Sequence, residues 1–225
     1  MRPMTLAIAT ALCLWCVTAQ AQTEEDCLTE AVLAESTLAK EPFEGDQLVA
    51  YSIVLRTIDG RFGSTICETV NLSYPRTTYK KVKIKVKKAI RWVRKAVVGR
   101  MYVYSYKGMK AYRNILDKSP KWLVDRARLV AQVQLAGEYE PPKEMARALY
   151  YLYPEKSNKK GKLWFACVTK PVGRAEGSVH VMHRDQTDAE MTETLEQMPE
   201  CKTFITYARR ANASLATRRQ YATAR

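Results

Sequence analysis

The sequence predicts an α+β fold, mainly helical with a small antiparallel β-sheet, and three observations carry that expectation. Apolar residues recur at helical spacing through 27–39, 47–57 and 122–137. Strand-like patterns are confined to 79–87, 102–106 and two short late runs at 163–169 and 178–183. Hydrophobic residues make up 47% of the 225, enough for about two hundred residues to bury one good core, so a single domain over 22–225 is expected.

The first 21 residues read as a leader. Arg2, an apolar run over 6–17 and the small-residue ending Ala19-Gln20-Ala21 have the three-part layout of a secretory signal, and export to the periplasm or medium follows. The run is too short and too weakly apolar for a spanning helix. Trp15 is too bulky for the position before a lipidated cysteine, which argues against Cys16 as an anchor.

In the helix expected over 27–39, Leu28, Val32 and Glu35 share one face and Ala31 and Ala34 flank them, so Glu35 points toward packed surface. A carboxyl there has a raised pKa and keeps its proton near neutrality, as a general acid requires. A glutamate in a helix is ordinarily solvated or structurally paired, so position alone does not assign it chemistry. Gly45-Asp46 marks the start of a second helix with Leu48, Val49, Ile53 and Val54 apolar, and Asp59-Gly60 marks its stop. A loop follows over 59–63, and Cys67 and Val70 sit on a short third element.

Residues 68–126 are rich in lysine. Over 79–87, Val82, Ile84 and Val86 alternate with Lys81, Lys83, Lys85 and Lys87, which predicts a strand. Ala89, Ile90, Val93, Ala96 and Val97 then fall at helical spacing with Arg91, Arg94 and Lys95 opposite, which predicts a basic amphipathic helix. Residues 102–106 read as a strand closing at Lys107-Gly108. The helix over 122–137 carries Leu123, Ala127, Val130 and Gln134 along one stripe and ends at 138–142. Residues 144–152 fit a short helix or, over 148–153, a buried strand. A lysine-rich turn at 156–162 leads to paired strands at 163–169 and 178–183. The tail is helical in two pieces broken at Pro199, and Arg209, Arg210, Arg218 and Arg219 make its end basic.

Of six cysteines, Cys13 and Cys16 leave with the leader; Cys27, Cys67, Cys167 and Cys201 remain, which in an exported protein implies two disulfides with three pairings open. Only His180 and His183 are available as imidazoles and no CxxC follows the leader, so no metal or other cofactor is expected. The net charge is +14, and +13 once Arg2 departs, which predicts attraction to a polyanion. For an exported chain that means peptidoglycan with its peptide carboxylates. Anionic envelope lipids or polysaccharides are further candidates for the run from Lys80 to Arg100, whose simpler reading is a solvated face. Nucleic acid is not expected, because export removes the chain from most of it and no recognition motif is present. Nothing in the sequence sets an oligomeric state.

Certain phrases have a counterpart elsewhere. Cys27-Leu28, Ala31-Val32-Leu33-Ala34-Glu35, Glu41-Pro42-Phe43-Glu44-Gly45, Val49-Ala50, Ile53-Val54-Leu55, Arg61-Phe62 and Thr65-Ile66-Cys67 resemble the opening of the SleB-type (spore-cortex-lytic) cell-wall hydrolases. A second block resembles the family's later phrases: Ala127 to Gly137, Tyr151-Leu152-Tyr153-Pro154, Trp164 and Gly177-Ser178-Val179-His180-Val181. The chain departs from the family in a loop after Glu35 that is longer by two residues, in a missing phrase after Cys67, and in Met182-His183 where aromatics are usual.

The resemblance implies a lysozyme-like catalytic domain with 68–126 as an insertion. It makes Glu35 the catalytic acid of a lytic transglycosylase, a reaction in which one carboxyl serves as both acid and base. Glu41 and Glu44 read as a turn and a helix start, where acidic residues suit the helix dipole. Tyr151, Tyr153 and Trp164 become candidates for stacking on sugar rings, with core packing the alternative, and His180 for orienting substrate. The two blocks favour the pairings Cys27–Cys67 and Cys167–Cys201. The implied function is an exported peptidoglycan-degrading enzyme. The alternative is an inactive envelope-binding protein that holds anionic wall or membrane with its basic surface. A minor alternative for the leader is a released signal-anchor, as some phage lytic enzymes use.

Overall fold

A computed structural model describes residues 22–86, 89–102 and 104–223; the leader expected at 1–21 lies outside the described residues. The fold is α+β and mainly helical, with a small three-stranded antiparallel sheet and a separate two-stranded ribbon.

Helix α1 (Glu24–Ala39) is started by Thr23, whose side chain accepts the Asp26 N–H, and by acidic residues in its first turn, which suit the positive end of the helix dipole. Cys27, Leu28, Ala31, Val32, Leu33 and Ala34 are all fully buried. A helix apolar on so many sides belongs at a centre, and α1 is packed by α2 (Phe43–Asp59), α3 (Ile66–Asn71), α4 (Ile115–Lys118) and α5 (Lys121–Leu135). Each large side chain buried there is worth about 1.5–3 kcal/mol, and cutting Leu28 or Leu33 to Ala would cost about 2–5 kcal/mol. Helix α2 begins at Phe43, two residues before the expected mark, with Pro42 at its N-cap, and stops on Gly60 in the left-handed conformation (φ 79°). Helix α5 buries Ala127, Val130, Ala131 and Gln134, close to the expected stripe.

The lysine-rich segment departs from expectation. β1 (Ser73–Val86) and β2 (Ala89–Tyr102) pair antiparallel along their whole length, from Ser73↔Tyr102 to Val86↔Ala89. The helix expected over 89–97 is therefore a strand. Its apolar residues satisfy either period, but Ile90, Val93, Val97 and Val98 favour the extended backbone, and β1 offers a ladder of N–H and C=O groups that needs a partner. The strand expected at 102–106 ends at Tyr102; a 3-10 turn, Ser105–Gly108, follows, and Tyr104 and Tyr106 are both buried in the main core.

In the C-terminal part, β3 (Tyr150–Leu152), α6 (Lys159–Val168), β4 (Thr169–Gly173), β5 (Val181–Asp185), α7 (Asp188–Gln197) and α8 (Lys202–Thr223) follow in order, and the sheet runs β3-β5-β4. Of the two readings of 144–152 the strand holds, as β3 at Tyr150–Leu152, and the helical reading is reduced to a 3-10 turn at Lys143–Met145. The strand expected at 163–169 is instead the second half of α6, capped by Asn158. Leu163, Trp164, Cys167 and Val168 form its apolar face against Met191, Cys201 and Ile205. The strand expected at 178–183 starts only at Val181, because the N–H groups of Val179 and His180 are given to a glutamate carboxylate instead of a ladder. The tail breaks at Pro199 as expected.

Two disulfides, Cys27–Cys67 and Cys167–Cys201, match the favoured pairing and fit an oxidising, exported setting. Each closes a loop long enough to be worth roughly 4 kcal/mol by chain entropy. Among the described residues no helix is long and apolar enough to cross a membrane.

Candidate active site

Glu35 lies in the last turns of α1 and is 8% exposed. Burial raises its pKa above the ordinary carboxylate value; His180, the Arg56 guanidinium and the Tyr151 hydroxyl favour its charged form, and Glu41 opposes it. The apolar face of α1 thus places the carboxyl as the sequence predicts. Its polar neighbours Glu41, Arg56 and His180 lie outside α1.

The first of these is Glu41, read from sequence as part of a turn. Its side chain is fully buried beside His180. One carboxylate oxygen accepts the N–H groups of Val179 and His180, each at 3.1 Å, and lies 2.6 Å from His180 Nδ1, a close contact bent away from the ring N–H direction. Burial pushes Glu41 up, but the polar side chains of His180 and Ser178 close by, the charge of His180 and its backbone N–H outweigh it, and the net displacement is below the ordinary value. The opposite edge of the imidazole faces Glu35, with Nε2 at 3.8 Å from its carboxyl oxygen. Two carboxyls therefore flank one histidine, and their pKa values are driven apart. Such separation assigns acid and base roles in known enzymes.

Gly45 makes room for Glu41. A Cβ at that position would stand 2.1 Å from the Glu41 Oε2 atom. Rings close the histidine in, with Tyr151 and Tyr153 edge-on to it at 5.0 and 5.8 Å.

The second neighbour is Arg56, 6% exposed. Its Nη1 donates to the Tyr104 hydroxyl at 2.7 Å and its Nε to the Leu149 carbonyl. The guanidinium lies over the rings of Phe62, Tyr104, Tyr150 and Tyr151 at 5.2–5.5 Å, a desolvated cage in which cation–π attraction reaches about 2 kcal/mol. Among the described residues no carboxylate forms an ion pair with Arg56, and its charge supplies a steady positive potential to Glu35.

A third group fixes the loop between the two glutamates. Asp46, in the first turn of α2, accepts hydrogen bonds from Ser36 of α1 and from Arg126 of α5, and Arg126 also donates to the Glu41 carbonyl at 2.8 Å. Burial raises the Asp46 pKa to about 6 against the pull of Ser36 and Arg126.

Of the residues singled out in the sequence, Glu35, Tyr151, Tyr153 and His180 come together. Trp164 does not join them; its ring packs edge-on to Tyr150 and Phe165 and against the Cys167–Cys201 cluster. Glu41, Arg56, Tyr104 and the Asp46–Arg126 pair were not read as site residues. Arg56 had a signal, since it stands three residues after Ile53 and seven after Val49 on the buried stripe of α2. His183 is held structurally, its Nδ1 3.0 Å from the Thr169 hydroxyl, with burial lowering its pKa to about 4. A hollow of about 430 Å³ elsewhere is lined by Glu30, Tyr106, Lys107 and Tyr112 among others, and neither Glu35 nor His180 reaches it. Among the described residues no cluster of three His, Cys, Asp or Glu side chains could hold a metal.

Against known proteins, the chain matches no family model, no curated protein and no solved structure.

Proposed function

We propose that the chain is an exported enzyme that cleaves the glycan strand of peptidoglycan as a lytic transglycosylase, with Glu35 as its general acid and base. The observation that carries this reading is the pair of buried carboxyls across His180, one held above its ordinary pKa and one below it. Burial favours the protonated form of Glu35, and the groups around Glu41 favour its carboxylate, so a proton donor and a fixed anion stand on opposite edges of one imidazole.

In this mechanism Glu35 gives its proton to the glycosidic oxygen as the bond to the anomeric carbon breaks. The sugar's own hydroxymethyl oxygen attacks that carbon, closing an anhydro ring. The Glu35 carboxylate then takes the proton which that hydroxyl releases, so the acid is restored and no water is consumed. Arg56 and Tyr151 favour the charged form of Glu35, which lowers the cost of the moment when it is a carboxylate. Glu41 holds His180 in place, and no second catalytic carboxylate of the kind a hydrolase uses is required.

The inactive envelope-binding reading draws on one specific observation, the exposed basic ribbon of β1 and β2. Zymography on purified peptidoglycan separates the two. Clearing by the wild type and at least a hundredfold loss in Glu35→Gln is expected for a general acid; no clearing by either supports the binding protein.

A further inference from the structure

The ribbon is electrostatically at odds with itself. Between Glu68 and Asp117 the chain contains no Asp or Glu, and β1 and β2 together hold nine lysines and arginines, with Lys87 and Lys88 between them in sequence. The register sets Lys80 opposite Lys95 and Lys81 opposite Arg94, and like charges directly across a strand pair destabilise it. Two-stranded ribbons are at best marginal in water. This one extends over 14 residues per strand, roughly 45 Å at the usual rise. Beyond itself it packs mainly on the adjacent turn at Ser105–Gly108.

One face is open and mixed in character. Tyr79, Lys81, Lys83, Trp92 and Arg94 share it and are exposed, Tyr79 by 68% and Trp92 by 61%. The Lys83 Nζ sits 5.0 Å from the centre of the Trp92 ring. The alternate register positions mix apolar pairs, Val82 with Val93, Thr78 with Val97 and Val86 with Ala89, with the basic positions of Lys80 opposite Lys95 and Ile84 opposite Arg91. Charge alone would suit any polyanion. Exposed Trp and Tyr among lysines on one face suit a surface that is anionic outside and apolar just beneath.

We infer that the β1–β2 ribbon is a docking element for the surface of a lipid bilayer rich in anionic phospholipid. The head groups neutralise Lys81, Lys83 and Arg94 on the face that meets them, and Trp92 and Tyr79 settle at the head-group level. The inference is independent of the chemistry at Glu35.

Sedimentation with vesicles tests it. The purified protein is mixed at physiological ionic strength with phosphatidylcholine vesicles with and without phosphatidylglycerol, alongside two variants, Lys81→Gln/Lys83→Gln/Arg94→Gln and Trp92→Ala, whose fold is checked by circular dichroism. Binding only to the anionic vesicles is expected. The triple variant should bind on the order of a hundredfold more weakly, since each basic residue near such a surface contributes about fivefold. Trp92→Ala should lose binding severalfold with its charge unchanged. Failure to bind the anionic vesicles, or equal binding by the triple variant, would overturn the inference. So would preferential binding to purified peptidoglycan or duplex DNA that is indifferent to Trp92→Ala.

Discussion

Glu35 and Glu41 bring the same functional group to opposite states, and the difference lies in what each one receives. Glu41 accepts two backbone N–H groups and touches His180, which favours its charged form although it is buried; Glu35 has burial as its dominant influence, which favours its protonated form. The pH dependence of activity follows in sign. Activity should fall as pH rises through the raised pKa of Glu35, because the acid is lost, and fall again at low pH as Glu41 takes a proton and releases His180. His180 is the foremost group opposing burial at Glu35, so in His180→Gln the alkaline limb of the pH–rate profile should move to higher pH; an unmoved limb would show that the histidine does not act on Glu35. Gly45→Ala is a second probe. Alanine should gain up to about 1 kcal/mol in a helix, yet its Cβ would displace Glu41 Oε2, so assays should show lost activity without a gain in thermal stability. Glu35 was legible in the sequence because the spacing of Leu28 and Val32 marks its face. Glu41 was not, because Val179 and His180 lie 138 and 139 residues further along the chain and no local pattern announces such a contact.

Among the elements, α1, α2 and α5 are the ones that position the site, and Asp46 joins all three through Ser36 and Arg126. Removing Arg126 leaves Asp46 buried without its cation. Arg126→Met should cost about 2–3 kcal/mol in urea unfolding at neutral pH, below the full cost for a wholly buried pair because Arg126 is 28% exposed. The sign with pH is fixed by the raised pKa: Asp46 binds its proton more tightly folded than unfolded, so its contribution favours folding below about pH 4 and is lost as pH rises through about 6. The Arg126→Met deficit should therefore shrink on acidification toward pH 4, and a deficit independent of pH would contradict this account of the clamp. These helices were legible because their apolar periods are long and Asp59-Gly60 marks the stop of α2. Residues 89–97 misled because Ile90, Val93 and Val97 satisfy a helical stripe and a strand equally, and only the partner strand decides. The same holds for 163–169, where the Asn158 cap outweighs a strand-like run of Leu163, Trp164 and Phe165.

At the scale of the whole molecule, two disulfides staple different clusters, Cys27–Cys67 in the helical core and Cys167–Cys201 between α6 and the start of α8. Substituting both Cys167 and Cys201 by Ser should lower stability by about 2–5 kcal/mol while leaving the Glu35–His180–Glu41 group assembled, so thermal melts should shift more than the activity measured at low temperature. A matched loss of both would place that cluster under the site. The charge of +14 was legible from composition, but its concentration on a projecting ribbon was not, since that depends on β2 being a strand. Mass spectrometry of the muropeptides released from purified peptidoglycan tests the bond-breaking chemistry of Glu35 most directly. The wild type should release fragments ending in an anhydro sugar and Glu35→Gln should release none; fragments with reducing ends, or undiminished release by the variant, would contradict the account.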